Sequence, residues 1–131
     1  MDETTRQQLG EVRGGTGSAP VLAATWRALL AHDPDVGVAA AFDLLAGEPR
    51  VKPSRSLVVD PGDAARRRWE LRVAAAVALL GAPVVARVFD ELRDELAADP
   101  HLAAEALAGV APNRALDAQQ QAALAALAQP G

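Results

Sequence analysis

The side chains that could do chemistry are few, and two stretches hold most of them. Arg50, Lys52, Arg55, Arg66, Arg67, Arg68 and Arg72 are seven of the thirteen basic residues, and with Asp60, Asp63 and Glu70 among them the segment 50–72 nets +4. Residues 88–131 invert the balance to −5, with Asp90, Glu91, Asp94 and Glu95 crowded into about one helical turn and a half. A run of arginines suits the phosphates of a nucleic acid or nucleotide. A row of carboxylates suits a basic partner surface or a divalent cation.

Each catalytic constellation that these residues suggest is incomplete. Asp90-Glu91-Leu92-Arg93-Asp94 resembles the Asp-rich magnesium motif of prenyl-transferring helical enzymes, which need a much longer chain and a second such motif. Glu91-Leu92-Arg93-Asp94 is similar to one half of the carboxylate site of helical NTP pyrophosphatases. The helix before it offers only Asp63 and Glu70, not an adjacent pair. His32-Asp33 resembles the His-Asp pair of metal-dependent phosphohydrolases, but His101 is the one other histidine. His101 and Glu105 stand one helical turn apart and give two ligands where a catalytic zinc wants three. The absence of cysteine excludes thiolate chemistry and Cys-ligated metals. No serine has a Gly-x-Ser-x-Gly context, and Gly14-Gly15-Thr16-Gly17 lacks the lysine of a phosphate loop. The sequence therefore assigns no catalytic residue, no metal ligand and no cofactor.

The elements that must position these groups are legible from their punctuation. At 131 residues the chain makes one domain. Asp33-Pro34, Asp60-Pro61 and Asp99-Pro100 read as helix starts. The aspartate caps an orphan N–H, and proline loses nothing at the first helical position. Helices are expected over 19–31, 34–46, 62–80, 83–98, 100–109 and 115–128. Segment 48–60 carries Pro49 and Pro53 and reads as non-helical, with Leu57-Val58-Val59 as a short extended piece. Residues 1–17 read as a flexible N-terminal tail, with at most a helical turn around Thr5–Val12, and 18–131 as a single helical domain. The fold class is all-α, a compact bundle of five to six short helices. Trp26 and Trp69 are its expected anchors, and Val73–Leu80, apolar all round, its most buried stretch.

The placement of charge adds a topological expectation. The arginines fall in the first turns of the third helix and the acids in the later turns of the fourth, both at the wrong end for the helix dipole. An antiparallel hairpin of those two helices about Gly81-Ala82-Pro83 would set the two groups side by side. Whether Arg68 and Arg72 face the fourth helix or solvent decides it.

A net charge of −4 and a pI of about 5.1 speak against a general nucleic-acid binder. The reading that remains is a non-catalytic helical interaction module, a small accessory or adaptor protein that binds another protein. Its candidate surfaces are Arg66, Arg67, Arg68 and Arg72, or Asp90, Glu91, Asp94 and Glu95. One alternative is a nucleic-acid-binding regulator that uses segment 50–72. Another is a small helical enzyme, or enzyme subunit, with a carboxylate site. The final helix is expected to cap the bundle, or else to dock on a partner or a second copy. The acidic start lacks the apolar run of a signal peptide. No uncharged stretch exceeds 14 residues, the length of Val73 to Ala86, which falls short of the roughly 20 that a membrane span needs. The cytoplasm is the expected location. Thirty-one alanines and twelve arginines to one lysine suggest a GC-rich, bacterial coding bias.

Overall fold

Among the described residues four helices begin where an aspartate carboxylate accepts an N–H of the first turn, Asp2 serving the earliest in the chain. Asp33 accepts from Val36 at 3.3 Å, Asp99 from Leu102 at 3.2 Å and Asp117 from Gln120 at 2.7 Å. The first two are Asp-Pro pairs, with proline in the first turn as expected. Asp60 lies outside the described residues. The computed structural model describes residues 2–14, 19–46 and 61–128. In chain order the helices are α1 (Glu3–Gly14), α2 (Ala19–His32), α3 (Pro34–Leu45), α4 (Pro61–Gly81), α5 (Phe89–Ala97), α6 (Pro100–Ala108) and α7 (Ala118–Leu127). A 3₁₀ helix over Pro83–Arg87 precedes α5, and no strand is present among the described residues. The expected pieces in segment 48–60 also lie outside them.

The longest helix, α4, is the centre. It packs on α2, α3 and α6, while α7 closes the far side against α5 and α6. From Val73 to Leu80 only Val73 and Val77 keep partial exposure, so this stretch is wrapped on most sides, as its all-round apolarity requires. Trp26 and Trp69 are buried beside Leu29, Leu45, Leu79, Leu96 and Leu102. Many of the buried residues are alanines, and Gly37 lets α3 approach α2 closely. A Cβ there would stand 2.9 Å from Leu30 Cδ2 and 3.3 Å from its Cα.

Three expectations are corrected. The stretch expected as the flexible tail 1–17 contains helix α1, which packs on α2. Thr5, Leu9 and Val12 lie on one face at helical spacing and are buried. Asp2 caps this helix through the Thr5 N–H at 2.7 Å and meets His32 Nε2 at 2.8 Å.

The expected fourth helix is broken in two. Val88, at φ −123° and ψ 19°, ends the 3₁₀ stretch, and α5 is only nine residues long. This bend redirects α5 onto α6 and α7, so it does not run back along α4 as the second arm of a hairpin. The last helix starts at Ala118, not 115, because Asp117 and Gln120 form a reciprocal capping box. Leu116 and Leu124 are buried, and α7 packs on α5 and α6.

Candidate functional site

Arg72 decides how the basic run must be read. It sits mid-way along α4 and its side chain is 1% exposed. Nε donates to the Leu44 carbonyl at 3.0 Å and Nη2 to the Leu45 carbonyl at 2.8 Å. Those carbonyls belong to the last turn of α3, where helix oxygens lack intrahelical partners and carry partial negative charge. Nη1 stands 2.9 Å from Asp99 Oδ2, whose side chain is fully buried. The guanidinium also lies 5.8 Å from the centroid of the Trp69 ring. Arg72 therefore joins α3, α4 and α6 from within and offers no surface to a partner. Its counter-charge is the cap of α6, not the acids of α5.

The neighbouring arginines divide differently. Arg67 donates to Glu70 on its own helix at 3.2 Å, Arg68 is exposed, and the side chain of Arg66 lies outside the described residues. No surface cluster of Arg66, Arg67, Arg68 and Arg72 is assembled from the described side chains.

The acids are arranged as a face. Phe89, Leu92 and Leu96 turn α5 inward, and Asp90, Glu91 and Asp94 point outward, exposed. Glu95 is half-buried. Arg93 lies 3.9 Å from Asp94 and 6.0 Å from the Phe89 ring centroid. Asp90 and Glu91 have no ion-pair partner among the described residues.

The histidines take up structural positions. His32 closes α2 and pairs with Asp2. His101 is exposed, while Glu105 accepts from Trp69 Nε1 at 2.8 Å, a bond that ties α4 to α6. No cluster of three or more His, Asp or Glu side chains able to hold a metal occurs among the described residues. No helix of the described residues is long and apolar enough to cross a membrane.

Concave surface gathers instead around the C-terminal end of α4. A groove of about 510 Å³ lies between α2 and the 3₁₀ stretch, with Leu30, Pro34 and Val84 in its wall and Arg27 and Arg87 beside them. A second, of about 490 Å³, shares Arg27 and Gly81 and adds Asn113 and Arg114. The Asn113 side chain fixes the loop that forms it, donating to the Leu80 and Ala82 carbonyls at 2.7 and 3.1 Å. Arg27, Arg87 and Arg114 are exposed and form no salt bridge among the described residues. Sequence reasoning missed all three because each is isolated in the chain, and a search for charge runs passes over them. Compared with family models, curated proteins and solved structures, the chain matches none.

Proposed function

We propose that the protein is a non-catalytic helical interaction module, a small accessory or adaptor protein, and that the outer face of α5 meets a basic surface of another protein. One observation carries this reading. Two of the four arginines expected to neutralise that face are engaged elsewhere, Arg72 on Asp99 and the end of α3, and Arg67 on Glu70. Asp90 and Glu91 are exposed and form no ion pair among the described residues, Arg87 lining a shallow cleft beside them without a salt bridge. Carboxylates at i and i+4 on one face repel one another weakly, and a cationic partner relieves that repulsion while steering association.

The experiment is a paired affinity capture from the native cell under nuclease, with wild type and the D90R/E91R/D94R variant side by side. The reading expects a stoichiometric protein that the wild type retains and the variant loses, with equal helicity in both by circular dichroism. A partner held equally by both removes α5 as the site. Recovery of nucleic acid alone, abolished by nuclease, replaces the reading with the nucleic-acid alternative.

A further inference from the structure

We propose that the groove between α2 and the 3₁₀ helix is a binding site for a small aliphatic carboxylate. The inference is independent of the α5 face and rests on what the groove's wall can and cannot do. Its volume of about 510 Å³ falls in the range of small-molecule pockets, roughly 300–1,000 Å³. Among the described residues Arg27 and Arg87 are the only lining side chains with hydrogen-bonding atoms, and a guanidinium donates without accepting. A ligand must therefore present acceptors to them, and a negative charge answers two cations that form no salt bridge among the described residues, Arg87 included although Asp90 and Glu91 line a cleft on its other side. The planar fork of a guanidinium matches a carboxylate in bidentate geometry.

The rest of the wall fixes the other end of the ligand. It is aliphatic, from Leu30, Pro34, Val84 and their small neighbours, so a hydrocarbon body is favoured over a polar one. Among the described residues no aromatic ring lines the groove, which removes the stacking platform that a nucleobase uses. No acid among them lines it either, which disfavours an amine. Gly81 sits at the lip, where a Cβ would meet nothing within 4 Å. The groove is thus held open at a point where a larger side chain could enter without disturbing the packing.

The test is a titration of the ¹⁵N-labelled protein with octanoate, with acetate and octylammonium as controls. Octanoate is expected to saturate, shifting the amides of Ala31 and Val84. Acetate, which lacks the chain, should bind at least about 10-fold more weakly, and octylammonium should leave those amides unmoved. R27Q/R87Q should lose at least about 10-fold in affinity. G81L should lose binding by filling the groove while both arginines remain. Equal binding of octylammonium, octanoate shifts confined to another surface, or unchanged affinity in a folded R27Q/R87Q protein overturns the site. If the double variant fails to fold, G81L decides, and retention of octanoate by G81L overturns it equally.

Discussion

Asp33 and Asp99 begin their helices in nearly the same way. Their backbones sit at φ −144°, ψ 82° and φ −141°, ψ 78°, each is followed by proline, and each caps the third residue after it. Their surroundings differ. Asp33 is half-buried and has no cation opposite it among the described residues. Asp99 is fully buried, and its second oxygen faces Arg72 at 2.9 Å. The same local device sets a helix boundary in one place and also neutralises a charge sealed inside the bundle in the other. Helix starts are decided by a few neighbouring residues, whereas the energetic weight of a cap is decided by what packs around it.

The largest expected effect separates the two. D99A removes a cap and leaves the Arg72 guanidinium buried without its carboxylate, which should cost about 3–5 kcal/mol in chemical denaturation. D33A removes a cap alone and should cost about 1 kcal/mol. Equal losses would dissolve the distinction. The solvent-exposed box of Asp117 sharpens it from the other side, since D117A should also cost about 1 kcal/mol.

The smallest effect concerns Asp2, the exposed cap of α1. The Thr5 N–H, and after it the His32 ring, hold its carboxyl down to about 2 from 3.8. The bound form is the ionised one, so the contribution of this cap is complete above pH 3.8 and is lost as the pH falls toward 2. The amides of Leu9 and Val12 should therefore exchange faster over that window in the wild type, and D2A, which removes the acceptor, should show the faster exchange at neutral pH already. Identical pH profiles for the two proteins would show that Asp2 does not hold α1.

The two Asp-Pro starts that the structure describes were legible because their signal is local. So were the buried tryptophans and the apolar second half of α4, whose periodicity is unbroken. The helix α1 was not, because its buried residues, Thr5, Leu9 and Val12, are spaced one helical turn apart inside a polar run and average composition hides them. The hairpin failed at Val88, where a break follows a 3₁₀ stretch rich in valine. No charge pattern reports such a break. Arg72 looked like its neighbours in a basic run, and only packing 27 residues away in sequence, at Asp99, withdraws it from the surface. The grooves around Gly81 join residues from α2, the 3₁₀ stretch and the loop after α6, a conjunction that no segment of sequence contains.

The most direct measurement is a double-mutant cycle in chemical denaturation with R72M, D99A and the pair. If Arg72 is held inside the bundle by Asp99, removing the second partner costs far less than removing the first, and the coupling reaches about 2–3 kcal/mol. Losses that add to within about 0.5 kcal/mol would mean that the two charges do not meet. Arg72 would then be held by the carbonyls of Leu44 and Leu45 rather than by Asp99.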